Sequence, residues 1–302
     1  MVSLHHLIDA FFASEWRGFA IGFFTAGGMA RLGRRFPSAL GRFLAAGSAT
    51  LGVLAGWFAL LAHDLTSGGG LPTRLLVVAL AAALIGVVPP VRSTKLTATK
   101  LAPAWLLGLA LVLGAWWLGG AGRSLAAVIG AWRGEGVVLI AAGLTGIPLL
   151  VLLRATPGPV HWPLAAAAAS LAAALAAIGV GGRMAGLALA LAGAALGAGI
   201  GAGRVGDSRR GAAAMTAMLA LLAGAAILAD GPVAHGAAHA RLAPVLMIPL
   251  GPLATLWLAQ RLTRRFSGPL TRRLGGVALA HLFAFAVTSL LGFSLAALAG
   301  LR

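Results

Sequence analysis

Cysteine, tyrosine and asparagine are all missing from the 302 residues, and Gln260 is the single glutamine. Without cysteine there is no disulfide framework, no thiolate metal site and no cysteine nucleophile. Without tyrosine and asparagine, few side chains remain that could recognise a polar solute by hydrogen bonds. Charge is also scarce and mostly of one sign. Only 10% of residues are charged, with 23 Lys and Arg against 6 Asp and Glu, for a formal net charge of +17. A soluble globular domain carries about a quarter charged residues, so that class is excluded.

What fills the chain instead is apolar. Hydrophobic residues make up 60% of it, and the mean hydropathy is +0.98. Apolar runs of membrane-spanning length recur from end to end, continuous and rich in Ala and Leu rather than alternating. Such runs predict helices, since a helix satisfies all its backbone groups internally, and they argue against a β-barrel. The expectation is an all-α fold, a polytopic transmembrane helical bundle of about ten spans, forming one integral membrane domain over residues 1–302.

The net charge would point to nucleic acid in a soluble protein. Here the arginines fall between apolar runs, where the positive-inside bias and anionic lipid headgroups account for them. Expected partners are therefore the lipid bilayer and anionic headgroups at the Arg-rich cytoplasmic loops, with a membrane-protein partner or a second copy as a further option, and no nucleic acid. The expected location is a bacterial-type inner (plasma) membrane, multi-pass.

Orientation follows from one stretch. Arg261-Leu-Thr-Arg-Arg-Phe-Ser-Gly-Pro-Leu-Thr-Arg-Arg273 holds five arginines and no acid between two apolar runs, so it belongs on the cytoplasmic side. Candidate spans are 8–30, 43–63, 75–90, 101–119, 136–153, 162–180, 184–203, 212–230, 242–260 and 275–299. Alternate loops on the same side as 261–273 carry Arg31, Arg34, Arg35 and Arg42; Arg92, Lys95 and Lys100; Arg154; and Arg204, Arg209 and Arg210. The opposite side carries Arg74, Arg123, Arg133, Arg183, Arg241 and Arg302. This asymmetry predicts both termini outside. Residues 8–30 contain Asp9, Glu15 and Arg17, so an interfacial helix is the alternative there and leaves nine spans. Ten spans would divide into five-helix halves, 1–153 and 162–302, though no internal repeat is visible in the sequence.

Two sets of residues carry a functional reading. Pro244, Pro249, Gly251 and Pro252 interrupt one span, and Pro148 interrupts another. Proline removes a backbone donor and frees a carbonyl one turn earlier, and free carbonyls at membrane depth face protein or a watery cavity. With His281, an ionisable residue inside a span, Pro148, Pro249, Gly251 and Pro252 are the expected lining of a pathway. The second set is His63, Asp64, His235 and His239, with His5, His6 and Asp9 on the same predicted outer side. His235 and His239 would share a helix face, and imidazoles with a carboxylate are the ligand types of zinc. Zinc or another divalent metal is thus the alternative to an expectation of no cofactor. Haem would need facing histidines from among His63, His161 and His281, and His63 and His161 fall on opposite membrane faces.

Gly193, Gly197 and Gly201 form one helical stripe, which predicts close helix packing rather than a phosphate loop. Trp57, Trp105, Trp116, Trp117, Trp162 and Trp257 fall near predicted span ends, as an aromatic belt requires. The function expected from these features is a permease or channel-like protein for a small or apolar substrate, more a transporter than an enzyme. The alternatives are a membrane-embedded metal-dependent hydrolase acting on lipid at the outer leaflet, and a non-catalytic accessory subunit.

Overall fold

Alanine and leucine lose least on entering a helix, and the computed structural model is helical in every long stretch it describes. The structure describes residues 14–36, 38–62, 71–87, 161–177, 182–202 and 209–229, with 113–114, 117–118, 146 and 261. No strand occurs among the described residues. The six helices are α1 (Ser14–Arg35), α2 (Ala39–Leu61), α3 (Leu71–Val87), α4 (His161–Ala177), α5 (Gly182–Ala202) and α6 (Arg209–Ala229). Pro72 and Pro163 both stand in a first helical turn, where the missing N–H costs nothing.

Among the described residues, two helices are long and apolar enough, by length and composition, to cross a membrane: Ala39–Leu61 and Arg183–Gly201. Shorter apolar helical stretches cover Thr73–Leu84 and Gly211–Ala225. The charged ends of α1 and α6 dilute their hydropathy, although at 22 and 21 residues each is about 30 Å long.

The first helix extends past the boundary at residue 30 expected from hydropathy. It continues through Arg31, Arg34 and Arg35, and Phe36 N–H still bonds to the Leu32 carbonyl at 3.3 Å. Ser38 then caps α2, its hydroxyl accepting from Gly41 N–H at 3.4 Å. The expected loop shrinks to the three residues between Arg35 and Ala39. The reason is electrostatic: arginines in a last turn meet the negative end of the helix dipole, and their long stems let the backbone stay helical while the charge reaches water.

Three helices meet closely at their glycines. The places where a Cβ would stand on Gly193 and Gly197 collide with the carbonyls of Phe19 and Phe23, and that on Gly201 falls 2.6 Å from Gly27 O. Both series rise by four, so α1 and α5 run parallel. The same test on α2 sets Gly56 2.8 Å from Gly18 O and Gly52 2.7 Å from Gly22 O. Here one series falls as the other rises, so α1 and α2 are antiparallel. Backbones this close gain dispersion contacts that a larger residue would forfeit. Helix α4 packs on α5, α3 on α2, and α6 chiefly on α3 and α2. The core between them is built mainly of alanine and leucine, with Trp57, Met215 and Met218 among its largest fully buried side chains.

Candidate functional site

A site for a polar substrate needs side chains with donors or acceptors to spare. Among the described residues the three buried hydroxyls have already spent their donors. Ser48 donates to Ala45 O at 3.0 Å, Thr50 to Gly47 O at 3.0 Å and Thr216 to Ala212 O at 2.8 Å, each within its own helix. Buried hydroxyls that bond back to the preceding turn are satisfied locally.

Trp57 corrects the aromatic-belt expectation. Its side chain is fully buried, and its indole Nε1 donates to Leu187 O of α5 at 2.9 Å. Gly52 and Gly56 let α2 come near enough to α5 for this bond: a Cβ on Gly56 would stand 2.9 Å from Ala190 Cβ. Trp57 is therefore an interhelical cross-link, not a membrane-surface anchor. Trp16 is the exposed indole of this region, at 41%, set edge-on to Phe19 with centroids 5.6 Å apart.

Arginines close the two ends of the bundle. Arg34 Nη1 donates to Gly201 O at 3.4 Å, tying the end of α1 to the last turn of α5, where a cation meets the negative end of the dipole. Arg74 Nη1 donates to Leu118 O at 3.1 Å at the start of α3. Sequence reasoning placed both in loops and missed both bonds, because their acceptors are carbonyls more than forty residues away along the chain.

Pro148, Pro249, Gly251, Pro252 and His281 lie outside the described residues, and so do His63, Asp64, His235 and His239. His161 is described: it is the first residue of α4 and 5% exposed. Among the described residues, no group of three metal-ligating side chains comes together. The described residues thus form a bundle with a mainly apolar core, tied across the chain by the indole of Trp57 and by Arg34 and Arg74. No protein-family model, curated protein or solved structure matches the chain.

Proposed function

We propose that the chain is a multi-pass protein of a bacterial-type inner membrane, with about ten spans, acting as a permease or channel-like bundle for a small or apolar substrate. The observation that carries the membrane part is apolarity on both sides of the same helices. Val53 and Trp57 of α2 and Leu75 and Ala79 of α3 are buried, while Phe58 of α2 (56% exposed) and Leu80 and Leu84 of α3 (49% and 60%) face outward, as does Phe24 of α1 (73%). Water would penalise that outer surface, whereas lipid suits it.

The count of spans draws support from direction. Helix α1 lies along α2 from Gly18 to Gly33 and along α5 from Phe19 to Gly27, which suits a spanning helix better than one lying across the interface. Parallel α1 and α5 require the same sense of crossing, and the short link 178–181 makes α4 the reverse of α5. An even number of crossings between α3 and α4 meets that requirement, and the runs 101–119 and 136–153 would supply two. In this arrangement Arg31, Arg34 and Arg35 end α1 and Arg209 and Arg210 begin α6 on the inner side, with Arg74 and Arg183 on the outer.

The substrate class rests on the interior. Few polar side chains are buried in the described core, and the hydroxyls of Ser48, Thr50 and Thr216 have no donor left for a sugar or an amino acid, so a solute passing through the bundle would be small or apolar. Pro148, Pro249, Gly251, Pro252 and His281 are the residues proposed to line the passage. Purified protein in liposomes is expected to accelerate osmotic swelling with glycerol or urea over empty liposomes, and Gly251→Leu is expected to abolish the difference. Unchanged swelling, together with stoichiometric zinc lost on His239→Ala, would replace this reading with the lipid hydrolase at His63, Asp64, His235 and His239. Unchanged swelling with no metal and a co-purifying membrane protein would favour the accessory subunit.

A further inference from the structure

The outer face of α1 carries an ordered stripe. Phe24, Gly28, Arg31 and Arg35 follow at spacings of four, three and four, which aligns them on one side of the helix. All four are exposed. Beside Gly28 there is open space, since nothing lies within 4 Å of where its Cβ would stand. Arg34 is off this stripe and engaged with Gly201 O. The helices α2 to α6 contain no Asp or Glu that could neutralise Arg31 and Arg35. The stripe therefore presents, in order, a bare aromatic ring, a gap where Gly28 has no side chain and open space lies beside it, and two cations one turn apart.

We propose that this stripe binds one anionic phospholipid of the inner leaflet, its phosphodiester held between Arg31 and Arg35 and an acyl chain lying across Gly28 onto Phe24. Two guanidinium groups separated by about 6 Å of helix rise can each present paired donors to one phosphate. From Phe24 to Arg35 the rise is about 16 Å, the depth of a headgroup and the upper half of a chain. Leu32 and Phe36, both half exposed, flank the cations with further apolar surface. A residue larger than glycine at position 28 would close the gap. The cation pair explains the charge of the ligand, and the gap with its ring explains why that ligand has a tail.

This site rests on the membrane reading above, with the Arg31 end inward. The test is native mass spectrometry of the full chain released from nanodiscs of equal phosphatidylglycerol and phosphatidylcholine. The natural chain is expected to retain phosphatidylglycerol in preference by about five- to tenfold, as charge attraction of this size allows. Arg31→Gln with Arg35→Gln is expected to bring retention near parity, and Gly28→Leu to reduce it with all charges kept. Arg34→Gln is expected to leave the preference intact. The proposal fails if the natural chain shows no preference, or if Gly28→Leu retains lipid fully. It also fails if Arg34→Gln loses as much as the double variant, or if millimolar inorganic phosphate displaces the lipid, which would mark a simple anion site. Should the double variant not fold, the natural chain and Gly28→Leu still decide. Recovery of the chain from the soluble fraction would sink the membrane reading itself, whereas insertion without lipid preference would sink only this site.

Discussion

Gly197 of α5 lies against the carbonyl of Phe23 in α1 so closely that no Cβ fits between them. That relationship repeats one turn either way, at Gly193 and Gly201, and it sets both the distance and the direction of the two helices. Most of what the described fold does follows from it.

Gly197→Ala is therefore expected to destabilise the protein by about 1–3 kcal/mol, the usual cost of forcing volume into a packed interface. Gly28→Ala meets nothing within 4 Å and is expected to be neutral, or to stabilise by up to about 1 kcal/mol through helix propensity. Unfolding in mixed detergent, followed by circular dichroism, reads both. Equal effects at the two positions would contradict the packing.

Trp57→Phe keeps most of the ring volume and deletes the donor to Leu187 O. The expected loss is about 1 kcal/mol, in line with interhelical hydrogen bonds in membranes. A thermal-shift difference between Trp57→Phe and the natural chain measures it. No loss would mean that the bond has no net value.

Parallel packing of α1 and α5 brings Ala30 Cβ within 2.8 Å of a Cβ on Gly201. Cysteines at these two positions are expected to form a disulfide on mild oxidation after a small parting of the helices, since Cβ atoms in a disulfide stand about 3.8 Å apart. The natural chain has no cysteine to compete. Antiparallel helices would leave the pair uncross-linked.

Much of this scaffold is legible in the sequence, for identifiable reasons. Six of the apolar runs, from 8–30 to 212–230, overlap the described helices because a run of Ala and Leu has few alternatives to a helix. The stripe of Gly193, Gly197 and Gly201 announces close packing because a four-residue spacing keeps small residues on one face. Its partner is not legible: Phe19, Phe23 and Gly27 contribute only backbone oxygens, and any residue has those. Helix ends are misread at Arg31 because hydropathy stops at the first charge, whereas the backbone does not. Trp57 is misread because nearness to a span end looks the same for a surface anchor and for a buried cross-link. The pathway residues around Pro249 and the histidines at 63, 235 and 239 lie outside the described residues, so their reading stands on sequence chemistry alone.

In the proposed topology, Ser38 at the start of α2 and Arg183 at the start of α5 lie on opposite faces of a membrane. Single cysteines at Ser38 and Arg183, both exposed, report it through labelling with an impermeant maleimide in intact cells. Arg183→Cys is expected to label from outside at once and Ser38→Cys only after permeabilisation. Labelling of both from the same side would contradict it.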